Sequence, residues 1–150
     1  MSARFLATKQ DIAMTFSGIN YLAVLVAAIA GFAVGMVWYG ILGEKWMAAL
    51  GKSKDELLPG GKPPIATMAT SFACELVMAW MLAGLLGHID AVTVGGGIIT
   101  AFFVWLGFVA TTQLVNHLYG RYPLALTFID AGHWLAVLVA MSIVIGLIGV

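Results

Sequence analysis

The sequence predicts an all-α fold, an integral membrane bundle of four transmembrane helices, and three observations carry that prediction. Hydrophobic residues make up 62% of the 150 positions before the 18 glycines are counted, and only 9% are charged. A soluble domain carries about 25% charged residues and needs them to cover its core. The apolar residues fall into four long runs, each supplying roughly the 20 residues that a bilayer-crossing helix requires. The runs are also too long, and alternate too little, for the short strands of a membrane barrel. The chain reads as a single membrane domain over residues 1–150, with the lipid bilayer as its main solvent.

The first span is read at 19–42, because no charged residue occurs between Asp11 and Glu44. Lys62-Pro63-Pro64 opens the second, at 65–86, with the prolines where a helix start tolerates their missing N–H groups. Its one charge is Glu75. The third, at about 94–118, lies in the uncharged stretch between Asp90 and Arg121 and begins near Gly95-Gly96-Gly97. The fourth, at 124–149, carries Asp130 and His133 near its start and is otherwise apolar. In residues 1–17 the charges are Arg4, Lys9 and Asp11, and the run that follows is of span length, so the first helix is expected to be retained rather than cleaved as a signal. Phe5, Leu6, Ile12 and Phe16 would let that segment lie at the interface, with a frayed tail as the alternative.

The loop at 43–64 is predicted to hold a short helix at 44–50, closed by Gly51 and placing Trp46 at headgroup depth. Ser53-Lys54-Asp55-Glu56 fits a capping box for one further turn, which Pro59-Gly60-Gly61 ends. Lys45, Lys52, Lys54, Lys62 and Arg121 fall in the first and third loops, against Arg4 and Lys9 on the other side. Five against two places those loops in the cytoplasm and both termini outside it.

Composition also excludes several classes. A formal net charge of zero leaves no basic excess for nucleic acid. A single cysteine, Cys74, excludes an internal disulfide framework and a cysteine zinc site. The triple glycine is not followed by the lysine and hydroxyl of a phosphate-binding loop, and no serine has a positioned base. No cofactor, metal ligand set or catalytic residue is assigned. His88 and His117 sit in opposite interfacial regions and are not expected to converge with His133.

Helices associate in lipid mainly through small residues that allow close backbone approach. Ala23, Ala27, Gly31 and Gly35 lie four apart on one stripe of the first helix, with Ala79, Ala83 and Gly87 at the same spacing on the second. An internal contact is expected there, and homo-dimerisation is the alternative use of the stripe.

Ionisable groups within hydrocarbon are costly and usually face a bundle interior or a cavity. By helical rise, Glu75 lies about 15 Å, His133 about 13 Å and Asp130 about 9 Å from the end that carries the long loop. Thr112 approaches from the third helix at about 9 Å, with Asn116 one turn nearer the surface. A shared polar pocket of Glu75, Asp130, His133, Asn116 and Thr112 is expected. One role for it is to bind or relay protons or a small polar solute. The other is structural, with Asp130 held by Asn116, Thr112 or a tryptophan to fix helix register. Trp38, Tyr39, Trp46, Tyr119 and Tyr122 read as an aromatic belt, while Trp80, Trp105 and Trp134 lie deeper and need acceptors such as Glu75 or Asp130.

Three groups of residues resemble one family. They are Ile19-Asn20-Tyr21-Leu22-Ala23-Val24-Leu25-Val26-Ala27-Ala28, the Trp38-Tyr39 pair, and Gly43-Glu44-Lys45-Trp46-Met47-Ala48-Ala49-Leu50-Gly51. Trp105-Leu106-Gly107-Phe108-Val109 with Asn116, and Ile129-Asp130-Ala131-Gly132, extend the likeness to the third and fourth helices. The family is an uncharacterised bacterial one, domain of unknown function seventeen-sixty-one. The resemblance implies a small four-helix integral membrane protein of unestablished activity. Two departures stand out: His133, where family members commonly have tyrosine, and Ser142, where they often have glycine.

The functional expectation is therefore a multi-pass protein of a bacterial inner membrane. Its pocket binds or conducts protons or a small polar solute, with Glu75 as the principal ionisable group. The rival is a non-catalytic accessory or assembly subunit with a membrane-protein partner; an enzyme ranks third.

Overall fold

The computed structural model describes residues 18–150; the segment read as interfacial or frayed lies outside them. Four helices follow one another, α1 Tyr21–Leu50, α2 Ile65–His88, α3 Val94–Tyr119 and α4 Leu124–Ile148, each long and apolar enough to cross a membrane. No strand occurs among the described residues.

Local chemistry sets the boundaries. Before α1, the Asn20 side-chain oxygen accepts from the backbone N–H groups of Leu22 at 3.1 Å and Ala23 at 3.2 Å. That satisfies two of the four orphan donors at a helix start. The predicted break after residue 42 does not occur, and the stretch at 44–50 is the continuation of α1. One glycine in a helix costs only about 1 kcal/mol, so Gly43 cannot end a ladder that its neighbours continue. Gly51 ends it, in the left-handed conformation at φ 67°. Its N–H reaches the Ala48 carbonyl at 3.2 Å, while Lys52 N–H reaches that of Met47 at 3.1 Å. The capping box forms as predicted. Ser53 N–H donates to the Glu56 carboxylate at 2.8 Å and Glu56 N–H to Ser53 Oγ at 3.3 Å, starting the one-turn helix Lys54–Leu57. A 3₁₀ turn over Pro59–Gly61 follows. At the start of α3, Thr93 Oγ1 accepts from Gly96 N–H at 3.0 Å, so the three glycines begin the helix rather than delay it.

The antiparallel pair α1 and α4 forms the centre, with α2 laid against α1 and α3 against α4. The small-residue stripe of α1 lies inside this arrangement. Ala23 and Ala27 are fully buried, as is Ala79 of α2. A Cβ added to Gly31 would sit 2.6 Å from Met141 Cε and 2.7 Å from Glu75 Oε2; one on Gly35 would sit 3.1 Å from His133 Nε2. The stripe thus serves both α4 and α2, and its small residues let both approach.

Helix α3 is not uniformly α-helical: Trp105–Ala110 is a π segment. Such a segment accommodates one extra residue, turning everything beyond it by about 100° relative to the helix before it. The inward positions therefore run Ala101, Trp105, Val109, Gln113 and His117, while Thr112 and Asn116 are exposed.

Candidate functional site

Helices α1 and α2 meet closely where Ala79, Leu82, Ala83 and Leu86 are buried, in the second half of α2. Toward the long loop most of α2 is exposed. The two helices leave between them a cavity of about 800 Å³, bounded at the loop end by Leu57 and Leu58. Glu75 and His133 stand in its wall, 4% and 5% exposed. Glu75 Oε2 and both ring nitrogens of His133 are buried without a hydrogen-bond partner. A buried polar atom left unpaired costs on the order of 1–3 kcal/mol, so three of them on the ionisable groups of one cavity need an explanation. Phe32, Met36, Met68 and Trp134 supply apolar surface around them. The His133 ring lies between those of Tyr39, at 4.9 Å between centroids, and Trp134, at 4.7 Å. Gly31 and Gly35 bring the carboxyl and the imidazole against α1 one turn apart, about 6 Å along its axis.

Asp130 does not join them. It belongs to a second polar cluster that ties α1, α3 and α4 together. Tyr39 Oη donates to Asp130 Oδ1 at 2.9 Å. His117 Nε2 lies 3.7 Å from Asp130 Oδ2, and its Nδ1 is 2.9 Å from Thr127 Oγ1. Two indoles fix the same stretch of α4 through its backbone. Trp38 donates to the Ile129 carbonyl at 3.1 Å and Trp105 to that of Ala131 at 2.7 Å.

Of the five residues expected to share a pocket, the structure thus brings two, Glu75 and His133, to one cavity. Thr112 and Asn116 are the corrections. Both are exposed, and the Thr112 hydroxyl donates to the Phe108 carbonyl of its own helix. The π segment turns them away and puts His117 in their place. His117, read as interfacial, and Tyr39, read as part of an aromatic belt, prove to be the partners of Asp130. Thr127 was not foreseen in the cluster, although its place three residues before Asp130 puts both on one helical face. Trp105, expected to seek Glu75 or Asp130, takes a backbone carbonyl instead. Among the described residues no three His, Cys, Asp or Glu side chains come together as a metal site would need.

Four span-length helices, three of which line a cavity with two unpartnered ionisable side chains, define a small multi-pass membrane protein. The chain belongs to the family described as a protein of unknown function (DUF1761), whose match covers residues 22–146 and so takes in the cavity and the Asp130 cluster. No curated protein and no solved structure matches it.

Proposed function

We propose that the cavity between α1 and α2 is the working site of a bacterial inner-membrane protein, binding or passing protons or a small solute, with Glu75 as its principal ionisable group. The observation that supports this reading is the set of three buried, unpartnered atoms on the ionisable side chains of one cavity, Glu75 Oε2 with Nδ1 and Nε2 of His133. A carboxyl placed only to fix helix register would be expected to show its partner, as Asp130 does. The Asp130 cluster has the structural role, holding α4 in register so that His133 reaches the cavity.

The test is chemical. A lipid-soluble carbodiimide reacts with protonated carboxyls reached from the membrane, and mass spectrometry locates the adduct. Labelling of Glu75 is the expected result, together with proton flux in liposomes or solute binding that is lost in Glu75→Gln at unchanged thermal stability. A Glu75 that resists labelling, or flux and binding that survive the substitution, overturns the reading. The rival, an accessory subunit, draws support from the large apolar side chains that α3 leaves exposed, among them Phe103 and Phe108. A stoichiometric membrane partner retained through native purification would favour it.

A further inference from the structure

The cavity has a chemical character that narrows what it takes. Glu75 and His133 are the ionisable groups with unpartnered atoms on it, and much of the remaining wall is aromatic or sulfur-bearing. A hydrophilic solute would leave most of its hydrogen bonds unmet against such a surface. Met36 of α1 and Ser71 of α2, both exposed, stand on its flank. Ser71 lies six residues inside α2, about 9 Å below its first residue. The opening between α1 and α2 therefore extends to hydrocarbon depth and is reached from the bilayer.

Resting on the site proposed above, we infer that its ligand is a lipid-borne hydroquinone: a flat ring with two hydroxyl groups and an apolar tail, entering sideways between α1 and α2. The two polar side chains face the cavity about one helical turn apart, so a head with a hydroxyl at each end can engage the carboxyl and the imidazole together. Phe32, Tyr39 and Trp134 offer ring faces and edges to such a head, and Met36 and Met68 adapt around it through sulfur–aromatic contacts. The tail lies along the exposed flank and leaves into lipid. A phospholipid fits less well. Its phosphate would stay near Lys54 at the loop end, leaving only an acyl chain to reach Glu75 and His133.

Gly40 provides the test variant, because it lines the cavity and a Cβ there meets nothing within 4 Å. Gly40→Leu fills the passage without disturbing the fold, which unchanged thermal unfolding verifies. In phospholipid nanodiscs, a short-tailed ubiquinol is expected to slow carbodiimide labelling of Glu75 at least about tenfold at saturation. Native mass spectrometry is expected to show it retained by the wild type and about tenfold less by Gly40→Leu. An alcohol and an alkylamine of matched tail length are the controls, and neither is expected to protect. Equal protection by either one overturns the ring-headed ligand, as does a bound phospholipid that the quinol fails to displace. Labelling that the quinol leaves unchanged overturns this inference and spares the site itself; absence of labelling overturns both.

Discussion

A methyl group added to Gly31 would collide at once with Met141 of α4 and with the unpartnered carboxyl oxygen of Glu75 on α2, at 2.6 and 2.7 Å. Helix packing and the chemistry of the cavity thus depend on one missing side chain. Because both atoms are the far ends of flexible side chains and alanine is favoured in a helix by about 1 kcal/mol, Gly31→Ala is expected to leave thermal unfolding in detergent little changed and to displace the Glu75 carboxyl, read as an altered rate of its carbodiimide labelling. Gly40, farther along the same helix, makes the contrast. Because a Cβ there meets nothing within 4 Å, Gly40→Ala is expected to leave stability unchanged or raise it by up to about 1 kcal/mol, the helix preference of alanine over glycine. A second pair of residues tests the Asp130 cluster. Tyr39→Phe removes the hydroxyl that donates to Asp130 at 2.9 Å and is expected to cost about 1 kcal/mol, the scale of hydrogen bonds between helices in a membrane. His117→Ala should cost a similar amount. The double variant should lose less than the sum, since the two side chains share one carboxylate.

The π segment of α3 governs which side chains the helix offers to α4, and deletion of Gly107 from within it tests that control. Loss of one residue removes the extra residue that the π segment accommodates, so the helix continues as α with His117 still inward. The same deletion from an uninterrupted α-helix would turn His117 away by about 100°. In a Cys74→Ala background, cysteines at 117 and 130 should be joined by a short thiol crosslinker in the full-length chain. After the deletion 117 with 130 should remain the efficient pair, and a shift of efficient crosslinking to 118 with 130 would refute the assignment. The long loop offers a pH test. Its Glu56 carboxyl is held below the ordinary value of 4.5, first by the backbone N–H of Ser53 and then by the Ser53 side chain and Lys52. A lowered folded value means that the contribution is fully present above 4.5 and is lost as pH falls through the lowered value. Titration of Glu56 by NMR should therefore show a midpoint below 4.5 that rises in Ser53→Ala. The capping box and the Gly51 stop were legible in the sequence because each depends on residues within a few positions of one another. The π segment was not, because no residue in Trp105–Ala110 marks it, and with it went the true faces of Thr112, Asn116 and His117. The cavity was half legible. Glu75 and His133 stand out as ionisable groups in apolar runs, whereas their separation from Asp130 depends on how α2 and α4 sit against α1.

At the scale of the whole molecule, the ends of the four helices are chemically unequal, and that inequality predicts how the protein sits in its membrane. The end that carries the long loop and the Gly120–Pro123 turn holds Lys45, Lys52, Lys54, Lys62 and Arg121, whereas the connection between α2 and α3 has no lysine or arginine. Basic residues in short loops are retained on the cytoplasmic side. The cavity extends to that same end, where Lys54 and Glu44 join Leu57 and Leu58 in its lining, so its polar end is expected to face the cytoplasm while its flank faces lipid. A phosphatase fused after Val150 should then be active in the periplasm, and a fluorescent protein that matures only in the cytoplasm should stay dark when fused there. Replacing Lys45, Lys52, Lys54 and Lys62 with glutamine leaves Arg121 alone against Arg4 and Lys9, which reverses the bias and should send a substantial share of the molecules into the opposite orientation. A bright C-terminal fluorescent fusion in the unaltered chain would reverse the orientation, and with it the side from which protons or a ligand head reach Glu75.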